Sequence, residues 1–305
     1  MSGNLDPEPL RGLIAHHDAD LPGGHPPRIR LHVVTAGLDN GNAPLVVLLH
    51  GFPEAWFAWQ HQIPALAAAG YRVLAPDMRG YNLSDKPKGI ASYRIEHLVG
   101  DAAALIHWAG AERAIVVGHD WGANVAWNFA MRHPQMLDQL VTMNVPHPAT
   151  MTAAFANPAQ LLRSSYAFAF QFPWLPERMF LARDVAVLRK TLQVDPVRED
   201  AFTEEDIDRY AEAIKQPGAV TGGMNYYRAA FRQSRQQTLD VAPVTAPVLV
   251  IWGERDRFIG KQYADPPPHL APNARVVRLP DASHWVQNDR PGRVNELMLD
   301  FLRDS

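Results

Sequence analysis

"VVGHDWGANVAW", Val116 to Trp127, opens on a β-branched run and closes on a helix-like stretch, with Gly118-His119-Asp120-Trp121-Gly122 between them. A strand, a tight glycine-flanked turn and a helix form the strained turn that lifts one side chain clear of a parallel sheet's carboxyl edge. That side chain belongs to Asp120, where an acyl-transferring enzyme would carry serine. A carboxylate suits attack on an sp³ carbon with a strained or good leaving group. The product is an alkyl ester, which water then splits at the aspartate's own carbonyl carbon. The oxyanion of that second step forms on Asp120, so donors must point there. The adjoining helix N-terminus favours an anion at the turn. Taken alone, Gly-x-Asp-x-Gly fits a helix N-cap flanked by packing residues equally well.

Outward from the turn, strand and helix patterns alternate. Strands are expected at Arg28–Gly37 (half-exposed), Ala43–Gly51, Tyr71–Gly80, Ala114–Asp120, "LVTMNVP", Ala246–Asp256 and Ala274–Trp285. Continuous apolar runs such as "APLVVLLHG" mark buried parallel strands. The chain therefore reads as α/β, a mostly parallel doubly wound sheet. The rhythm breaks over 149–234, an aromatic-rich stretch of helical patterns read as about four helices. Asn157-Pro158-x-Gln160 and Thr203 before Glu204-Glu205-Asp206 give two of the helix starts. The expected organisation is a core of residues 1–148 and 235–305 with a helical cap inserted at 149–234.

Composition excludes several function classes. A net charge of -3 without a Lys/Arg tract argues against nucleic acid and against a polybasic membrane anchor. The absence of cysteine removes disulfides, thiolate nucleophiles and Cys-ligated zinc. The first twenty residues lack an apolar h-region, and no apolar run approaches the roughly 20 residues of a membrane helix. The expectation is a cytoplasmic protein with no membrane partner. No G-x-x-x-x-G-K-[ST], G-x-G-x-x-G or H-E-x-x-H occurs, so neither metal nor organic cofactor is expected. His16-His17 reads as a solvated N-terminal pair. No pattern selects a monomer over a homodimer.

Three loops could serve Asp120. "HGFPEAW", from His50, follows a buried strand. The backbone N–H of Phe52 there, with that of Trp121, could form an oxyanion hole, and a cis Phe52-Pro53 bond would turn the loop sharply. Asp256 ends "VLVIWGERD" and could orient an imidazole. His284 in "DASHWVQNDRP" could activate water. Singly, these residues read as an ordinary turn, a surface acid and one of 13 histidines. Their order, Asp120, Asp256, His284, carries more weight than any one of them.

Together with "DMRGYNLSDKP" (Asp77–Pro87) and "NVPHP" (Asn144–Pro148), these motifs resemble the α/β-hydrolase superfamily and, within it, the epoxide hydrolases. The resemblance covers nearly the whole chain. It implies two oxygen-binding tyrosines in the cap, Tyr166 and Tyr227, that protonate the epoxide oxygen. Tyr227 shares a helix face with Met224 and Phe231, and Tyr226 lies about 100° round the helix. The implied reaction takes a small apolar epoxide and water to a vicinal diol. The expected pocket is lined by His50, Pro53, Trp121, Phe170, Met224 and Trp285. Haloalkane and haloacid dehalogenases share the aspartate turn. Phe52, however, stands where the haloalkane enzymes often carry a halide-binding Asn, and Trp121 where fluoroacetate-type enzymes carry Arg. A catalytically inactive small-molecule receptor on the same fold is the reading of another class. His147 could position solvent or the lid.

Overall fold

The computed structural model describes residues 6–22, 26–233 and 242–304. Eight strands form one sheet: β1 (Ala15–Pro22), β2 (Arg28–Ala36), β3 (Leu45–Leu49), β4 (Arg72–Pro76), β5 (Ala114–His119), β6 (Leu137–Met143), β7 (Val248–Gly253) and β8 (Ala274–Leu279). They lie in the order β1-β2-β4-β3-β5-β6-β7-β8. β2 runs antiparallel to both β1 and β4, and all other neighbours are parallel. Strand order reverses between β3 and β5, and open α/β sheets bind ligands in the crevice at that switch.

Helices cover the sheet. α1 (Gln62–Ala68), α2 (Ile95–Trp108) and α3 (Trp121–Arg132) follow β3, β4 and β5 in the chain. β3, β5 and β7 are buried at every residue, which is why they read as unbroken apolar runs. In α2 the buried Leu98, Val99, Ala102, Leu105 and Ile106 form one stripe at helical spacing.

Between β6 and β7 the described residues form helices and no strand: α4 (Pro148–Ala154), α5 (Pro158–Arg163), α6 (Ser165–Ala169), α7 (Leu175–Val194, broken by a kink at Ala182 to Val185), α8 (Glu204–Lys215) and α9 (Ala219–Gln233). The sequence pattern gave about four, because α4, α5 and α6 are too short for their periodicities to be told apart. Asn157 caps α5 as expected, accepting from the Ala159 N–H at 2.9 Å. Gln160 does not close that cap. Its amide donates to the Phe258 carbonyl at 2.8 Å and accepts from the Gly260 N–H at 3.0 Å, tying α5 to the loop after β7. Thr203 and Asp206 form a reciprocal cap on α8. The expected return to the core at 234–235 lies outside the described residues. The chain closes with α10 (Val286–Asp289) and α11 (Pro291–Arg303), the latter burying Val294, Leu297, Met298, Phe301 and Leu302 on one face. No helix among the described residues is long and apolar enough to cross a membrane.

The amino-terminal expectations need correction. β1 gave no strand signal, since only Ala19 and Leu21 of "AHHDADLP" are buried. It forms by pairing along β2 from Ala15–Thr35 to Pro22–Arg28. β2 is consequently buried along most of its length, not half-exposed. His16 and His17 are not simply solvated. His17 Nε2 lies 2.9 Å from Thr35 Oγ1. His16 stands between Asp6 and His32, at 2.9 Å from each, and His32 Nδ1 lies 2.7 Å from Asp77 Oδ2.

Candidate active site

The turn at Asp120 is built by close approach. β5 ends at His119, α3 begins at Trp121, and Asp120 between them has φ 48° and ψ −122°, a strained backbone for a residue with a side chain. A Cβ on Gly122 would lie 1.9 Å from the Leu49 carbonyl oxygen, and one on Gly51 2.3 Å from the Asp120 Cβ. Only glycine at both positions lets the end of β3 lie against the turn. The Phe52 N–H then donates to Asp120 Oδ1 at 2.8 Å, and the Phe52-Pro53 bond is cis.

From the other side comes His284, seven residues before the start of α11. Its Nδ1 lies 2.8 Å from Asp256 Oδ2, and its Nε2 lies 3.6 Å from Asp120 Oδ2, an ion-pair distance and too long for a hydrogen bond. Asp256 is held in turn. Its Oδ1 accepts from the Phe258 and Ile259 N–H groups at 2.7 and 2.9 Å, and its Oδ2 from the Asn144 amide at 2.8 Å.

The inserted helices close over this line. Tyr166 on α6 and Tyr227 on α9 have ring centroids 5.8 Å apart. Tyr227 packs edge-on to Trp121 at 4.9 Å and to Phe52 at 5.7 Å. Tyr166 reaches toward His284 through Phe258, whose ring is 5.7 Å from Tyr166 and 5.1 Å from His284. The two hydroxyls interact with each other, and both feel the Asp120 charge.

This constellation on this sheet can be set against known proteins. The profile of the alpha/beta hydrolase fold family matches residues 44–291. The "AB hydrolase superfamily protein YfhM" of Bacillus subtilis is 46% identical over 277 residues, covering 90% of this chain and 95% of the relative. "Epoxide hydrolase 3" of Xenopus tropicalis is 38% identical over 283 residues, covering 90% and 75%. The chain belongs to the α/β-hydrolase fold family, among the epoxide hydrolases. A crystal structure of a Bacillus megaterium epoxide hydrolase with an inhibitor superposes with a TM-score of 0.83 at 31% identity, over 94% of this chain and 100% of that one.

In this hydrolase the remaining expected pocket residues divide. Phe170 ends α6 and Met224 lies within α9. Phe170 lies 5.2 Å from the Tyr227 ring and 5.6 Å from that of Phe52, and Met224 is buried on α9. Pro53 is half-buried in the cis turn. His50 is displaced from the wall. It is fully buried, with Nδ1 bonded to the Gly51 carbonyl at 2.9 Å and Nε2 accepting from the Met78 N–H at 3.0 Å, so it shapes the loop instead of facing a ligand. Trp285 packs behind His284 and donates its indole N–H to Asp195 at 2.9 Å, joining the end of α7 to the core. Tyr226 donates to the Arg79 carbonyl at 2.8 Å, facing away from Asp120. His147 caps α4, accepting from the Ala149 N–H at 3.2 Å. Burial and the charge of His269 hold it down to about 4. Among the described residues no group of three or more potential ligands could hold a metal ion.

Three supporting side chains carried no assignment from the sequence. Asn144 bonds Asp256 and also accepts from the Gly253 N–H at 2.9 Å. Beneath Asp120 the fully buried His119 lies 2.9 Å from Glu54 Oε2 through Nδ1 and donates through Nε2 to the His284 carbonyl at 2.9 Å. The Gly51 N–H donates to the same Glu54 oxygen at 2.7 Å. One buried pair thus fixes both the β3 loop and the His284 backbone. The signal was adjacency, as Glu54 follows the "HGFP" turn and His119 precedes Asp120.

Electrostatics separate the roles. Burial pushes the Asp120 carboxyl up, but the nearby His284, the charge of His119 and the Phe52 N–H outweigh it and leave it below the usual carboxylate value. Burial pushes His284 down, but the Asp256 charge and the contacts with both carboxylates outweigh it and hold the ring well above its ordinary value. Asp120 is therefore held toward its carboxylate form and His284 toward its imidazolium form. Burial, reinforced by the Asp120 charge, raises both tyrosines, so each keeps its proton.

Proposed function

We propose that this chain hydrolyses epoxides to vicinal diols through an alkyl ester on Asp120. The observation that carries the reading is the pair of cap hydroxyls, Tyr166 and Tyr227, packed against each other with Tyr227 edge-on to Trp121 and Phe52, both protonated and both within reach of the charge of an ionised Asp120. An epoxide opens to an alkoxide, a poor leaving group that needs a proton. Tyrosines can supply one, and their rings tolerate apolar surroundings.

Asp120 attacks one ring carbon from the back while the tyrosines hold the oxygen, and one of them gives it a proton. The tyrosinate recovers that proton from His284. Esterification has just removed one of the two anions that kept the imidazole charged, so the transfer is favoured in this direction. Neutral His284, oriented by Asp256, then takes a proton from water. The hydroxide adds to the Asp120 carbonyl carbon, and the N–H groups of Phe52 and Trp121 hold the oxyanion. Collapse expels the diol as its alkoxide, which takes the proton of the newly formed carboxylic acid. Asp120 ends ionised and His284 protonated, as both began. Helices α4 to α9 serve as the cap that keeps bulk water away. His119 and Glu54 position the loop and the base without touching substrate.

The test is turnover. Purified protein is given styrene oxide and aliphatic epoxides, and separately haloalkanes and fluoroacetate, with Asp120→Ala as control. Diol that disappears in the variant is the expected result. Halide release without diol would overturn the assignment of the tyrosines. Ligand-induced thermal stabilisation with no turnover would point to a receptor.

A further inference from the structure

The exposed large apolar side chains of the described residues are concentrated. Apart from Leu13 and Leu83, all of them lie between Leu162 and Val194. Phe168, Phe172, Trp174, Leu175, Met179 and Leu181 form the dense part, with Phe172 62%, Trp174 63% and Met179 63% exposed. α7 already buries Pro176 and Phe180 against the molecule. A helix apolar on both faces is normally enclosed, and a contiguous apolar surface marks an interaction site.

The surface is held in place. The buried Arg228 guanidinium donates to the carbonyls of Phe170 at 2.7 Å and Phe172 at 2.8 Å and pairs with Glu177 at 2.6 Å, pinning the loop that displays the aromatic rings. Trp174 sits at φ 52°, a strained backbone for a bulky residue, with its ring outward.

Charge selects the occupant. Glu177 is consumed by Arg228, and Asp184 by Arg189 and Lys215. The exposed Arg178 and Arg183 have no partner among the described residues. The patch is thus cationic on a chain of net charge -3. Aromatic and aliphatic side chains fringed by arginine match the interfacial zone of an anionic bilayer. A second copy docked through the same patch would set these arginines against their own counterparts.

We propose that α6, the loop after it and the first half of α7 rest on an anionic lipid surface. No basic run appears in the sequence because the two arginines are separated, one within α7 and the other where its backbone leaves the helical region, which is why no membrane partner was expected there. α6 also carries Tyr166. Resting on the proposed function, this face would collect apolar epoxides dissolved in lipid.

The test is flotation of the full chain with vesicles of phosphatidylcholine, alone or mixed with phosphatidylglycerol. The expected result is binding to the mixed vesicles that weakens with salt, is lost in Phe172→Ser/Trp174→Ser, and falls about fivefold for each of Arg178→Gln and Arg183→Gln. Turnover of styrene oxide should be unchanged in all of these, whereas turnover of a long-chain epoxide dispersed in the mixed vesicles should fall. Flotation needs no turnover, so a failure of the epoxide reading leaves this result intact. No flotation, flotation indifferent to the serine variants, or a dimer in gel filtration that those variants dissolve would each overturn the proposal.

Discussion

On the proposed cycle, esterifying Asp120 would alter a neighbour as much as itself. His284 owes its high resting value to two flanking carboxylates, and the ester silences one of them. The sign follows directly. Removing an anion lowers the imidazole, so ester hydrolysis should rise with pH through a limb lying below the resting value of His284. Stopped-flow measurement of ester decay against pH checks this. Asp256→Asn removes the second anion and should move the limb to still lower pH. His284→Gln should leave alkylation in place and stop hydrolysis, giving at most one equivalent of diol precursor per protein and an intact mass increased by that of the epoxide. Tyr166→Phe and Tyr227→Phe should each slow alkylation by about 10²-fold or more, the usual weight of a proton donor, while leaving ester decay unchanged. At this scale Asp120, Asp256 and His284 were legible because each follows a readable strand at a fixed point of a motif. The His119–Glu54 pair was not, since nothing in the linear sequence says that two neighbours of motif residues share a buried hydrogen bond.

Elements were legible where their own periodicity carried them. Stripes at helical spacing gave α2 and α11, and apolar runs gave β3, β5 and β7. β1 escaped because its partner, not its own sequence, makes it a strand. The two cases predict different sensitivities. Leu297→Ala empties part of the α11 stripe and should cost about 2–5 kcal/mol in urea unfolding, with kcat little changed. Gly122→Ala places a methyl against the Leu49 carbonyl, and neither group belongs to a flexible side chain. Its effect should fall on the β3–β5 contact itself, with soluble protein and activity lost together.

Across the whole molecule the site is a property of the sheet. Phe52, Asp120, Asp256 and His284 follow β3, β5, β7 and β8, so residues 232 positions apart must meet before any chemistry is possible. This alternation made the fold class legible, while the placement of the inserted helices over the sheet was not: the choice of Tyr166 and Tyr227 rested on the family resemblance, because aromatic composition alone does not encode which tyrosine faces inward. The two ends of the line rest on unequal supports. β5 is central and buried throughout. β8 is an edge strand with only Leu279 fully buried, and the His284 loop hangs from it. Edges with few buried contacts open first on heating. On the proposed cycle, a molecule with a frayed β8 keeps its nucleophile and loses its base. Warmed toward its melting point, the protein should stop behaving as a catalyst before it stops reacting, becoming a single-use scavenger that captures one epoxide and keeps it.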